Sequence, residues 1–294
     1  MTKVRDLEQA VAMVPDGATI AIGGLSMNAT PMAFVRELIR QEKRDLELIA
    51  IVNGMAIDWL VAAGVVSKVI AGLVSFEGLG LAPNFRRAVQ AGTIEFEESS
   101  EHILISRLQA AARNLPFMPT KAGLGTDVLA INEGRLRVET DATSGEQYVA
   151  ALPLPVDVAV VHVHEADEHG NARVNPKLVW MDSEVVNAAT TTIVTTERIV
   201  PNRTFTAEPH RTTYPRFMVD AVVPAPWGAY PTSSFPEYTH DKTFYEEYVA
   251  AAAAGKEDFE LFFKNRVAGP ATHPDFIDAN GGAAKIIEIR RRTS

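Results

Sequence analysis

Short apolar runs alternate with segments of helical spacing along most of the chain. The runs that predict strands are Thr19–Ile22, Leu46–Val52, Lys68–Val74, Val128–Ile131, Val156–Val163, Thr192–Thr196 and Ala221–Val223. Several of them, such as DVAVVHV, are continuously apolar rather than alternating. Because such runs are typical of strands covered on both faces, the pattern predicts an α/β fold with an open, mainly parallel sheet flanked by helices.

The predicted helices have recognisable starts. Asp6 can cap a first helix, with Gln9 at the capping-box position. Thr30-Pro31 predicts a second helix with proline as its first helical residue. Further helices are predicted at Ile57–Ala63, Phe85–Gln90, His102–Arg113, Ser183–Ala189 and Lys242–Ala253.

Neither a tandem repeat nor a linker divides the chain. The absence of a composition shift predicts a single domain over residues 1–294. Two segments interrupt the regular pattern. Residues Glu133–Gln147 are polar and predict a surface excursion, and Pro201–Pro215, rich in Pro, Thr and Arg, predicts a long irregular loop.

Composition narrows the functional class. The net charge is 28 − 37 = −9, which gives no electrostatic footprint for nucleic acid or an anionic membrane. The lack of cysteine excludes disulfides, zinc-thiolate sites and a cysteine nucleophile, and fits a cytoplasmic protein. The start has no apolar core of a secretory signal, and the apolar stretch from Leu46 to Val66 contains Glu47 and Asp58, so we expect no membrane span.

The segment DGATIAIGGLSMNATP carries the most functional information. A strand ends there at Gly23-Gly24, where missing side chains permit unusual dihedral angles and the close approach of a ligand. The helix that opens near Thr30 and Pro31 would present free N–H groups and a partial positive charge. Together these features predict a site for a carboxylate, a phosphate or an oxyanion. The alternative is a tight strand-to-helix turn that binds nothing.

The same segment resembles the signature of class I CoA-transferase A subunits. Asp16, Gly17, Ile20–Ile22, Gly23-Gly24 and Pro31 stand at the signature spacings. Leu25 replaces a phenylalanine and Ala29 a glycine of that signature, at positions that the glutaconate-type branch also relaxes. The segments NLPFMPTKAGLGTDV, VAALPLPVDVAVVHVHEADEHGNARV and FMVDAVVPAPWGAYPTSSFPEYTHD are similar to further segments of that branch. The resemblance covers roughly residues 3–265 and implies a class I CoA-transferase-like fold.

The resemblance implies a two-subunit enzyme that moves CoA between an acyl-CoA and a carboxylic acid. In such enzymes a glutamate on the B subunit, within a Ser-Glu-Asn-Gly type motif, attacks the thioester carbonyl, and this chain lacks that motif. It therefore implies a B-subunit partner in an A2B2 or larger assembly, CoA thioester as substrate, and no permanently bound cofactor. By match, the residues lining the oxyanion and acyl-CoA pocket are Gly23, Gly24, Leu25, Ser26, Met27 and Asn28.

Two departures bear on the reaction. The glutaconate branch has basic residues just before Pro31, where this chain has Met27–Thr30, and this argues against glutaconate itself as substrate. Glu101 stands where that branch has an amide. A related ring-opening hydrolase of actinobacterial cholesterol breakdown has a glutamate there that serves as acid/base. Glu101 is therefore a candidate base for carbon–carbon hydrolysis, with favourable placement at a helix start as the alternative.

The remaining candidates are weaker. Ser75 and Glu77 follow a predicted strand and could reach the same pocket. Within HVHEADEHG, His162 and His164 share a strand face, but the segment fits a strand end and turn better than a metal site, so we expect no metal. The basic cluster Arg290–Arg292 is either solvated or in contact with CoA phosphates. A third functional alternative is a protein that binds acyl-CoA without a partner.

Overall fold

The computed structural model describes residues 2–174 and 180–291; Arg292 of the basic cluster lies outside them. The strands are β1 Thr19–Ile22, β2 Leu46–Val52, β3 Val66–Leu73, β4 Glu95–Glu98, β5 Met118–Thr120, β6 Leu136–Thr140, β7 Gln147–Ala151, β8 Val156–Ala166, β9 Ala172–Arg173, β10 Ala189–Ile199 and β11 Ala221–Pro224. The helices are α1 Leu7–Ala12, α2 Met32–Arg40, α3 Met55–Ala62, α4 Pro83–Ala91, α5 Glu101–Ala112, α6 Val128–Ile131, α7 Asp182–Ala188, α8 Arg203–Ala207, α9 Lys242–Ala254, α10 Lys256–Phe263, α11 His273–Ala279 and α12 Gly282–Arg291.

The main sheet has the predicted parallel architecture. Its strand order is β11-β10-β8-β1-β2-β3-β4, and each neighbouring pair is parallel. Only the short β9, which pairs with β8, runs antiparallel within the described part of this sheet. The short strand β1 therefore lies in the middle, between β2 on one side and β8 on the other.

Helices cover both faces of this sheet, as continuous apolar strands require. Along β1, Ile20 and Ile22 face the larger core, which includes residues of α1–α4 and α9–α12, whereas Ala21 faces a second core with α5 and α7. Asp6 caps α1 with the predicted capping box, its side chain accepting the Gln9 N–H. In the central strands the sequence pattern and the fold agree, because a strand that is buried on both faces favours apolar side chains.

A three-stranded antiparallel sheet, in the order β5-β7-β6, stands beside the main sheet. It packs on α5 through Ile103. The predicted strand Val128–Ile131 is wrong, because this apolar run forms the short helix α6. The polar excursion Glu133–Gln147 contains β6 of this sheet, and the segment Pro201–Pro215 contains α8 and a 3-10 turn at Pro209–Arg211.

The edge strand β4 has a charged sequence, EFEE, which gave no strand signal. Its Glu97 is buried and lies within ion-pair distance of three cations, Arg107, Lys68 (3.1 Å) and Arg135 (2.9 Å). Burial opposes ionisation of Glu97, but these cations hold the pKa of its carboxyl below the ordinary value. A buried charge inside β4 is thus stabilised by its partners rather than by an apolar pattern.

Among the helices of residues 2–174 and 180–291, none is long and apolar enough to cross a membrane.

Candidate functional site

The loop after β1 lies where the strand order reverses direction. From β1 the chain proceeds to β2, β3 and β4 on one side, and β8, β10 and β11 extend the sheet on the other. Open α/β sheets bind ligands at the carboxyl ends of their strands, at such a switch point. The glycine-containing loop predicted from the sequence therefore occupies the position in which this fold can form a crevice.

The residues after β1 form a tight two-residue turn. Leu25 and Asn28 exchange both backbone hydrogen bonds, at 2.9 and 2.8 Å, so that Ser26 and Met27 stand at its tip. Ser26 has a positive φ of 55°, which the first central residue of such a turn requires. The Ser26 N–H donates to the Val52 carbonyl at 2.9 Å, which continues the β1–β2 pairing into the loop.

Met27 provides the loop N–H that remains for a ligand. Every other backbone N–H from Gly23 to Ala29 donates to the protein, but that of Met27 has no acceptor among the described residues. A fixed backbone N–H at the carboxyl edge of the sheet is the type of donor that stabilises a developing oxyanion.

The start of α2 is not the anion site that the sequence predicted. The Met32 N–H donates to Thr30 O and the Ala33 N–H to Gly228 O, both at 2.8 Å. Both residues are buried. Pro31 stands just before the helix rather than at its first residue. The prediction was wrong because a neighbouring loop supplies acceptors that the sequence of the helix does not reveal.

The glycine pair is packed against the protein itself. A Cβ on Gly23 would lie 2.6 Å from Asp182 Oδ1, and a Cβ on Gly24 would lie 2.6 Å from the Asn28 carbonyl oxygen. Gly24 also has a φ of 90°, which an L-residue rarely adopts. Its N–H donates to Asp182 Oδ1 at 2.7 Å. The missing side chains therefore make room for Asp182 and for the loop backbone, and the part of Gly23 and Gly24 in an acyl-CoA pocket stays a prediction.

Glu77 contacts the loop and Ser75 contacts Glu77, whereas their part in a substrate pocket stays a prediction. The Ser26 hydroxyl donates to Glu77 Oε1 in a short hydrogen bond. The Glu77 N–H donates to Ser75 Oγ at 3.0 Å, and the Ser75 hydroxyl donates to the Gly80 carbonyl at 3.2 Å. Glu77 also has a positive φ of 52°. Two non-glycine residues in this sparsely populated region therefore face each other across the loop tip, an arrangement typical of functional sites.

Glu101 lies at the same edge of the sheet. It is the first residue of α5, whose start is capped by Ser100 Oγ accepting the Ile103 N–H at 3.3 Å. The Glu101 side chain is exposed, and its Cγ would lie 3.4 Å from a Cβ on Gly72 in β3. Strand β3, which Glu101 contacts at Gly72, lies two strands from β1, and two strand spacings are roughly 10 Å. An acyl chain could bridge that distance.

Three supporting residues gave no functional signal in the sequence. Asn53, at the end of β2, is buried and donates to Thr30 Oγ1 at 3.2 Å. Ser233 donates its hydroxyl to Asn28 Oδ1 at 2.8 Å. Asp182 accepts the Gly24 N–H from a helix that is 158 residues away in the chain. These residues hold the loop from sides that sequence spacing does not connect.

The HVHEADEHG segment has the structural role that was expected of it. His162 contacts Thr195 Oγ1 and Glu197 Oε1, both at 2.9 Å, and His164 Nε2 contacts the Phe235 carbonyl at 2.9 Å. Asp167 accepts the His169 N–H within the turn, at 2.9 Å. In the part of the chain that the structure describes, no group of His, Cys, Asp or Glu has the arrangement of a metal site.

Comparison with known proteins agrees with this architecture. A profile of the family described as Coenzyme A transferase matches residues 4–225. The solved structure of glutaconate coenzyme A-transferase from Acidaminococcus fermentans aligns with a TM-score of 0.91 and 28% identity, covering 98% of this chain and 95% of that one.

Two sequence relatives are similarly extensive. The cholesterol ring-cleaving hydrolase IpdA subunit of Mycobacterium tuberculosis is 35% identical over 289 residues, covering 95% of this chain and 98% of the relative. An uncharacterised protein of Archaeoglobus fulgidus is 34% identical over 292 residues, or 98% of this chain. The chain spans only 64% of the length of that archaeal relative.

Proposed function

Because this chain belongs to the coenzyme A transferase family, we propose that it is the A subunit of a two-subunit enzyme that moves CoA between an acyl-CoA and a carboxylic acid. The observation that carries the proposal is the Met27 N–H, which the loop presents without an acceptor among the described residues at the switch point of the sheet. The chain contains no Ser-Glu-Asn-Gly motif, so the nucleophilic glutamate belongs to a B-subunit partner, in an A2B2 or larger assembly.

In this mechanism the partner glutamate attacks the thioester carbonyl. The carbonyl oxygen becomes an oxyanion, which accepts the Met27 N–H. The CoA thiolate then leaves, and a mixed anhydride of the glutamate remains. Attack of the thiolate on the glutamyl carbonyl releases the first carboxylic acid and gives a glutamyl-CoA thioester. The same steps in reverse, with the acceptor carboxylate, form the new acyl-CoA.

The test is co-expression with the partner subunit. The purified complex is incubated with a panel of acyl-CoAs and treated with hydroxylamine or borohydride, both of which attack a glutamyl-CoA thioester. We expect inactivation and one modified glutamate on the partner, found by peptide mass spectrometry. Turnover without any modified glutamate would exclude the covalent route.

A second candidate function is thioester-dependent carbon–carbon hydrolysis with Glu101 as acid/base. Two observations favour it: the exposed carboxylate of Glu101 at the same sheet edge, and the 35% identity to a subunit of a ring-cleaving hydrolase. A general base in this position would activate water or remove a substrate proton.

The substitution Glu101→Gln separates the two functions. Hydrolysis with Glu101 as base predicts a loss in kcat of about 100-fold or more, whereas transfer predicts little change. The matched control is Glu98→Gln, which removes an exposed carboxylate from nearby β4. Equal turnover of the Glu101→Gln complex and its control would eliminate Glu101 as the base.

A further inference from the structure

We propose that Asp182 is a positioning residue that fixes the loop from Gly23 to Ala29 in the conformation that presents the Met27 N–H. Asp182 is the first residue of α7, on the face of the sheet opposite to α2. The inference concerns a residue outside the family signature and deepens the proposed function, on which its kinetic part rests.

Asp182 contacts the point at which the chain leaves β1. Asp182 Oδ1 accepts the Gly24 N–H at 2.7 Å and occupies the space where a Gly23 side chain would stand. One oxygen therefore fixes the two residues at which the chain leaves β1. The turn at Ser26 and Met27 begins immediately afterwards, so its direction depends on this contact.

The carboxyl group of Asp182 is buried, which is energetically unfavourable. Asp182 is 7% exposed. Burial raises the pKa of its carboxyl to about 6, and the nearby Glu184 adds to the rise, while the Gly24 N–H opposes it. Burying an ionisable carboxyl in this way destabilises a protein. An apolar side chain would fill the same space at lower cost but could not accept the Gly24 N–H, so a role in holding the loop accounts for a hydrogen-bond acceptor there.

Helix α7 also packs against α5, where Gln109 Nε2 donates to Glu184 Oε1 at 3.4 Å. Glu101 is the first residue of α5. Helix α7 therefore contacts both the loop that contains Met27 and the helix α5 that begins at Glu101. Asp182 makes the contact with the loop.

The test compares Asp182→Val, which removes the acceptor, with Asp182→Asn, which keeps a carbonyl acceptor without the charge. Asn187→Ala is the control, because it removes an exposed polar side chain from the same helix, where Asn187 donates to the Ser183 carbonyl. Amide hydrogen exchange over residues 20–34, followed by mass spectrometry on the complex with its partner, reports the loop without any substrate.

We expect Asp182→Val to accelerate exchange in this segment at least about tenfold, because the Gly24 N–H loses its acceptor, with Asp182→Asn and Asn187→Ala within about threefold of the wild type. Turnover should then lose kcat in Asp182→Val with little change in KM, and Asp182→Asn should recover it. Unchanged exchange in Asp182→Val, or equally fast exchange in Asp182→Asn, would overturn the inference. Accelerated exchange with normal turnover would instead refute the role of the loop in the proposed function.

Discussion

The loop after β1 and the buried cluster around Glu197 both contain hydrogen-bonding groups, but they differ in whether those groups have partners within the protein. In the cluster, Glu197 accepts from Tyr238 OH at 2.6 Å and from the Trp227 N–H at 2.7 Å, and contacts His162 at 2.9 Å. Burial opposes ionisation of Glu197, yet these partners hold the pKa of its carboxyl below the ordinary value. The hydrogen bonds of this cluster therefore join protein groups to one another.

The loop shows the opposite arrangement. Its backbone is held at Gly24, Ser26 and Ala29, while the Met27 N–H has no acceptor within residues 2–174 and 180–291. The histidine-rich segment drew attention in the sequence because of its residue types, but the loop is the better candidate site because of its geometry. The difference teaches that reactive residue types alone do not identify a binding site. A better indication is a polar group that the fold fixes in position but does not pair with another protein group.

The largest effect is expected in the buried cluster. Glu197→Ala leaves His162, Tyr238 OH and the Trp227 N–H without their acceptor, and should lower the free energy of unfolding by about 3–5 kcal/mol. Urea unfolding followed by circular dichroism measures this loss. A destabilisation below about 1 kcal/mol would show that the cluster is less tightly coupled than the comparison requires.

The next effect concerns activity rather than stability. Gly24→Val places a Cβ against the Asn28 carbonyl and should displace the turn, lowering kcat by about 100–1000-fold, as removal of an oxyanion donor does. Gly64→Ala is the control, since Gly64 has a similar positive φ of 72° but no atom within 4 Å of an added Cβ. A Gly24→Val complex with wild-type folding and turnover would contradict the placement of the site.

A third prediction uses pH. The pKa of Asp182 rises from 3.8 to about 6 on folding, so the folded protein holds a proton that the unfolded chain releases in this range. The contribution of Asp182 to stability therefore falls as pH rises from about 4 to 6. Asp182→Asn should match the wild type near pH 4 and exceed it at pH 8 by up to about 3 kcal/mol.

Denaturant unfolding of both proteins at the two pH values measures this difference. The same stability gap at pH 4 and pH 8 would mean that Asp182 does not titrate on folding. The unfolding experiment thus measures the effect of the Asp182 carboxylate on stability. The exchange experiment measures its effect on the order of the loop.

The smallest effect is expected at the loop tip. Ser26→Ala removes the hydroxyl that donates to Glu77 and should lower kcat/KM about five- to tenfold, because one hydrogen bond near the substrate is lost. Ser67→Ala is the control, since Ser67 donates to the Asp45 carbonyl at the opposite end of β3. Equal kinetics for both variants would remove Ser26 and Glu77 from the site.

The main sheet was predictable because its strands are buried on both faces. Leu46–Val52 and Thr19–Ile22 have the bounds that the apolar pattern predicted. The pattern failed where other forces decide. Strand β4 is stabilised by ion pairs of Glu97, and the apolar run Val128–Ile131 packs as a helix against Ile103.

The candidate site was predictable in position but not in detail. Gly23-Gly24 at the end of a strand indicated the loop, and the motif resemblance indicated the family. The contact of Asp182 with Gly24 joins residues 158 positions apart and leaves no pattern in the sequence. The availability of the Met27 N–H follows from where the neighbouring N–H groups donate, and only the folded chain determines that.

The central position of β1 has a consequence for biosynthesis. β1 pairs with β2 soon after it leaves the ribosome, but its other neighbour, β8, contacts it across 138 residues, as in the bond from the Thr19 N–H to Asp157. Until β8 emerges, the nascent chain has an unpaired apolar edge at β1, the kind of edge that promotes aggregation. The crevice gains its second wall only after about half of the chain has been made, so a chain terminated before β8 would lack both that wall and the cover for the apolar edge of β1.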